Sequence, residues 1–123
     1  MKDGDVFSAV LSPSEPKSHF WVVVLAVISE DKAVCCNITS YCFDKTTPVY
    51  SAEYSELTQD ISYINYPQAR IEKISSLEDK INKQVAHICP PVSKDLLKQI
   101  LEGALKSKYT PNNIKLLIKT SKA

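Results

Sequence analysis

His19-Phe20-Trp21-Val22-Val23-Val24-Leu25-Ala26-Val27-Ile28 is the stretch on which the fold turns. The nine apolar residues from Phe20 to Ile28 are about half the number needed to cross a bilayer as a helix. Their β-branched content suits a buried strand. The run stops at Ser29-Glu30-Asp31-Lys32, and a second β-type run occupies Ala33 to Thr39, so the two read as a hairpin inside a sheet. Outward to the N-terminus, Asp5 to Leu11 reads as a first strand, with Val6, Ala9 and Val10 among its apolar positions. The polar, proline-containing segment Ser12 to Ser18 then forms a loop.

Toward the C-terminus, Ser40 to Ser55 has little periodicity; Thr46-Thr47-Pro48 suggests a turn and Val49-Tyr50 a short strand. Asp60 to Asn65 reads as a strand, Pro67 breaks it, and Ala69, Ile71 and Ile74 resume an extended pattern as a second one. Ser75 followed by Glu78 has the spacing of a capping box and predicts a short helix, and Val85 to Cys89 reads as a last strand. After Pro90-Pro91, Leu96, Leu97, Ile100, Leu101, Ala104 and Leu105 recur with helical spacing inside Ser93–Ser107, while Lys94, Lys98, Glu102 and Lys106 fall off that stripe. Beyond Thr110-Pro111, Ile114 to Ile118 fits either a final strand or a short docked segment before a lysine-rich end.

A chain of 123 residues supplies one hydrophobic core and hence a single domain over 1–123. With only two glycines, Gly4 and Gly103, there is no phosphate-cradling loop of the Walker or Rossmann kind. Of the four cysteines, Cys35, Cys36, Cys42 and Cys89, no two form the CxxC pair that begins a zinc site, so no metal and no cofactor is expected. On a strand, Cys35 and Cys36 point to opposite faces, predicting one core residue and one exposed or partly covered thiol. Asn37-Ile38-Thr39 matches a glycosylation sequon by accident if the N-terminus, which lacks the pattern of a secretory signal, places the protein in the cytoplasm. The formal charge of +1 hides an asymmetry: residues 1–60 carry four lysines against nine acidic residues, and residues 91–123 carry seven lysines against Asp95 and Glu102. A basic tail suits nucleic acid or simply a solvated helix face.

Several segments together resemble the MazF/PemK (Kid) toxin family, which shares its fold with the CcdB gyrase toxins. Gly4-Asp5-Val6-Phe7 looks like that family's opening Gly-Asp-Ile/Val strand, and His19-Phe20-Trp21-Val22-Val23-Val24-Leu25 stands at its Arg-Pro-x-Leu-Val-Leu strand. Cys35-Cys36-Asn37-Ile38-Thr39-Ser40 looks like its Cys-Pro-Ile-Thr-Ser segment. Asp60-Ile61-Ser62-Tyr63-Ile64-Asn65 sits at its Asp-Gln-Val strand, and Val92 to Leu105 at its terminal helix. The resemblance implies a mainly β (β+α) fold, an SH3-like β-barrel of the MazF/PemK/CcdB type over about residues 3–89 with a C-terminal α-helix over about 93–107. It implies a homodimer, a cognate antitoxin as partner, and metal-independent cleavage of single-stranded RNA such as mRNA. The family's arginine after the first loop is His19 here, a residue type whose ordinary pKa near 6.5 suits proton transfer or phosphate contact. Its replacement of the arginine equally fits a relative that binds without cutting, on nucleic acid or, like CcdB, on a protein such as gyrase.

On that resemblance the catalytic candidates are His19, with Thr39 and Ser40 as hydroxyl donors to the phosphate; both hydroxyls fit equally the closing of a turn at a strand end. Substrate-binding candidates are Lys17, Trp21, Asp60, Tyr63 and Arg70. Lys17 either supplies the missing positive charge or is solvated, and Asp60 either orients His19 or starts a strand. Trp21, Tyr63 and Tyr66 either stack bases or fill a core or dimer interface. Arg70, the only arginine, contacts phosphate or simply faces solvent, and His87 is structural.

Overall fold

The computed structural model describes residues 1–11 and 16–122; residues 12–15, within the predicted loop, and residue 123 lie outside the described residues. Elements follow in the order β1 (Val6–Ala9), β2 (His19–Val27), one turn of 3-10 helix (Ile28–Glu30), β3 (Lys32–Thr39), β4 (Pro48–Tyr50), β5 (Ile61–Lys73), α1 (Ile74–Asn82), β6 (His87–Cys89), α2 (Lys94–Lys106) and α3 (Asn112–Lys122). The strands make one sheet in the order β4-β5-β3-β2-β1-β6, antiparallel at every step. The sheet curls into a half-barrel whose two edges are the three-residue strands β4 and β6. The molecule is thus mainly β with three α-helices among the described residues.

The unbroken apolar run of β2 follows from burial on both faces. Val22 and Val24 enter a core that includes Val34, Cys36, Ile38, Ile64 and Tyr66 and is closed by Leu96, Ile100 and Ala104 of α2 and Ile114 and Ile118 of α3. Trp21 and Val23 face the other way, into a smaller core with Phe7, Ala9, Ala33 and Cys35 that is closed by Ile74 and Leu77 of α1. Each fully buried valine or leucine contributes about 1.5–3 kcal/mol, so this strand is the main apolar anchor of both layers. Both adjacent thiols are buried, Cys35 at 0% and Cys36 at 1% exposure, which corrects the expectation of one exposed or partly covered thiol. Burial pushes both thiols up, Cys36 to about 12, and both stay protonated.

β5 is one continuous strand through Pro67, where two were expected. Its register with β3 shifts between the pairs Cys35↔Arg70 and Asn37↔Asn65, so Pro67 sits in the bulge, where the ladder does not need its missing N–H. The helix after β5 begins at Ile74, one residue before the expected cap. Asp31, left-handed at φ 54 before β3, does the capping from outside. Its carbonyl accepts from Ile74 N–H at 3.3 Å. Its carboxylate accepts from Ser75 N–H at 2.9 Å and Ser75 Oγ–H at 2.5 Å. The last predicted strand shrinks to His87–Cys89, leaving Val85 64% exposed. The segment after Pro111 is a helix rather than a strand, because Ile114 and Ile118, four apart, share its buried face.

α2 matches its predicted stripe, and the Ser93 hydroxyl caps it by accepting from Leu96 N–H at 3.1 Å. Gly103, within the helix, touches a buried polar knot. Tyr66 Oη–H donates to Ile100 O at 2.8 Å, and the Thr47 hydroxyl lies 2.7 Å from the same phenol. A Cβ on residue 103 would overlap both the Thr47 and the Tyr66 hydroxyl oxygens, so the glycine is what lets the knot form. No helix among the described residues is long and apolar enough to cross a membrane.

Candidate functional site

One cleft, of about 380 Å³, opens where β1, β2, β3 and β5 end on the same side of the sheet. The register pair Phe20↔Ile38 makes His19 and Thr39, one step further along, neighbours across the open end of the ladder, about 5 Å apart at Cα. Period two puts them on the face of Trp21, whereas Ser8, Phe20, Ile38 and Ser62 belong to the other face. Residues of both faces border the cleft because it lies at the strand ends, and Leu57, Thr58 and Gln59 form a further wall.

Lys17, His19, Thr39 and Ser40, separated in sequence by more than twenty residues at the widest, all line this cleft. His19 is partly buried at the start of β2, while Lys17 and Ser40 are exposed. The Thr39 hydroxyl turns into its own loop, lying 3.4 Å from both the N–H and the carbonyl of Tyr41, which is the strand-end turn role. At that length the contact is weak, and the hydroxyl can rotate toward an incoming oxygen. The arrangement offers an imidazole, an ammonium and two hydroxyls on one rim, groups suited to proton transfer and to holding an anionic oxygen.

The remaining candidates separate. Trp21 is 1% exposed, and its Nε1–H donates to Ala9 O at 3.2 Å, so it is core and offers no face to a base. Tyr66, fully buried in the knot below α2, is core as well, and burial pushes its phenol up. Arg70 lies seven residues along β5 from Tyr63, about 20 Å by strand rise, with its Nε 2.9 Å from Glu72. It stays outside the cleft. Asp60 is exposed one residue beyond the Gln59 wall, and its carbonyl accepts from Ser51 N–H at 3.0 Å, the role of a strand-start residue. Tyr63 pairs with Thr39 and Pro48 across the sheet, and Lys45 Nζ stands 5.0 Å from its ring centroid.

A second cleft, of about 560 Å³, adjoins the first and shares Ser40 and Tyr41 with it. Its other walls are Cys42, Phe43, Lys45, Asn65, Pro67 and Gln68. The loop that carries Phe43 and Lys45 is held by Asp44, a buried carboxylate. Asp44 accepts from the hydroxyls of Thr46 and Ser107 at 2.6 Å each and from Thr46 N–H at 3.1 Å. Ser107 is the C-cap of α2, so the loop is fastened to the helical layer. Tyr41, 94% exposed, and Thr58 and Gln59 went unread in the sequence, since the aperiodic stretch around them carries no motif; the clue was two aromatics, Tyr41 and Phe43, in an otherwise polar loop.

No family model matches the chain, and no curated protein matches it.

Proposed function

We propose that the chain is a toxin of a type II toxin–antitoxin system that cuts single-stranded RNA without a metal, on an SH3-like barrel of the MazF/PemK/CcdB type. What carries the reading is the meeting on one cleft of His19, Thr39 and Ser40, from the two segments that resemble that family, with Lys17 beside them. In the reaction the ribose 2′-hydroxyl attacks the adjacent phosphorus and loses its proton. The P–O5′ bond breaks, the leaving 5′-oxygen takes a proton, and a 2′,3′-cyclic phosphate remains. His19 supplies the proton transfer, the Thr39 and Ser40 hydroxyls donate to the phosphate oxygens, and Lys17 offsets the charge that builds there. A homodimer, a cognate antitoxin and a cytoplasmic site of action complete the proposal.

A second reading, binding without cleavage, is favoured by one observation: the only arginine lies far from the cleft and beside Glu72. The barrel then engages nucleic acid or, as CcdB does, a protein such as gyrase. Incubation with a long single-stranded RNA in EDTA, beside a His19→Ala variant, decides between them. Sequence-restricted fragments ending in cyclic phosphate from the wild type alone support the ribonuclease. Intact RNA in both lanes at high protein concentration supports binding.

A further inference from the structure

We propose that the second cleft is a nucleobase pocket, which holds a base of the single-stranded RNA displaced from the cleft of His19 by the width of Tyr41; the assignment rests on the ribonucleic-acid reading above. Continuity is the first argument. Ser40 and Tyr41 border both clefts, so a strand lying in one runs over Tyr41 into the other.

The chemistry of the walls is the second. Tyr41 presents an almost fully exposed ring, and Phe43, 69% exposed, is braced edge-on against Tyr109 at 4.8 Å between centroids. Rings in such positions accept any base by stacking. The Lys45 ammonium, beside the Tyr63 ring, brings the positive charge that a phosphate needs. Asn65 and Gln68 add amides, which pair with base edges and match adenine best. Directly across the ladder from Asn65, Asn37 is fully buried, and neither atom of its amide has a partner among the described residues. Asp44, tied to Ser107, keeps this loop in place before any ligand arrives.

The test uses fluorescently labelled hexamers of adenylate and of uridylate with the full chain, reading affinity by anisotropy and contact by ultraviolet crosslinking and mass spectrometry. Tyr41→Ala is expected to weaken both hexamers about 10-fold or more, because stacking is indifferent to base identity. Lys45→Ala is expected to lower the salt dependence by about one phosphate contact. Asn65→Leu is expected to narrow the preference for adenylate over uridylate. The crosslink is expected on Tyr41 or Phe43. Wild-type cleavage or binding of RNA with all three pocket variants matching the wild type, and crosslinks elsewhere, overturns the pocket and leaves the ribonucleic-acid reading standing. Absence of both binding and cleavage in the wild type overturns that reading and the pocket with it. Tyr41 and Lys45 are exposed, so their substitution leaves the fold intact, as circular dichroism of each variant checks.

Discussion

Replacing Gly103 by alanine sets helix propensity directly against packing, and packing wins. Alanine in a helix interior gains about 1 kcal/mol over glycine. Its methyl, however, would occupy the space of the Thr47 and Tyr66 hydroxyl oxygens. Forcing a methyl into a filled site costs about 1–3 kcal/mol. Pushing the phenol from Thr47 or from Ile100 O, now 2.7 and 2.8 Å away, strands a buried polar atom at about 1–3 kcal/mol more. The central values give a net loss of about 3 kcal/mol, or a urea midpoint lower by about 2 M at an ordinary dependence on denaturant. Urea titration followed by Trp21 fluorescence measures it. Adding Tyr66→Phe and Thr47→Ala removes the oxygens in the way, so Gly103→Ala is expected to cost far less in that background. A Gly103→Ala protein as stable as the wild type would refute the argument.

The thiols make a separate test: in the native protein an aromatic disulfide reagent at pH 8 should leave Cys35 and Cys36 untouched, since burial holds both protonated, and modify them only after denaturation. Equal rates at all four cysteines would contradict that burial. Hydrogen bonds from Ser75 hold the Asp31 carboxyl below its ordinary value of 3.8, so its contribution is fully present above about pH 4 and is lost as pH falls through the lowered folded-state value. Asp31→Asn keeps the tolerance of positive φ, and its stability deficit relative to wild type should be constant from pH 7 to pH 5 and shrink below pH 4; a deficit that grows with acid would reverse the sign. Ser93→Ala should cost about 1 kcal/mol by removing the cap on Leu96 N–H, read by chemical denaturation. Asp44→Ala should cost about 3 kcal/mol, because it strips charge-assisted bonds from Thr46 and Ser107 in a buried site.

The strands and α2 were legible because their signals are local. The run from His19 and the stripe from Leu96 to Ala104 each declare a buried surface without reference to the rest of the chain. Errors came where a distant residue overrides the local signal. Ser75 carries a cap signature, yet Asp31, forty-four positions away, supplies the cap. Pro67 signals a break, yet the bulge opposite Cys36 absorbs it. Trp21 has the composition of a base stacker, but only the closure of α1 over the sheet shows that its ring is enclosed. His19, Thr39, Ser40 and Lys17 are candidates by family resemblance alone, and they line one cleft. Their adjacency depends on strand register, which no single segment encodes.

The two edges of the sheet carry a consequence for how copies of the chain can associate. β4 opens with Pro48, and β6 runs straight into Pro90-Pro91. The strands β4 and β6 themselves therefore offer only three residues of ladder each, beside an imide that cannot donate. Growth of the sheet by pairing another copy onto β4 or β6 is disfavoured. A pair of copies that meets through side chains on the faces should respond in its stability to single surface substitutions in a way that backbone-zippered assemblies do not.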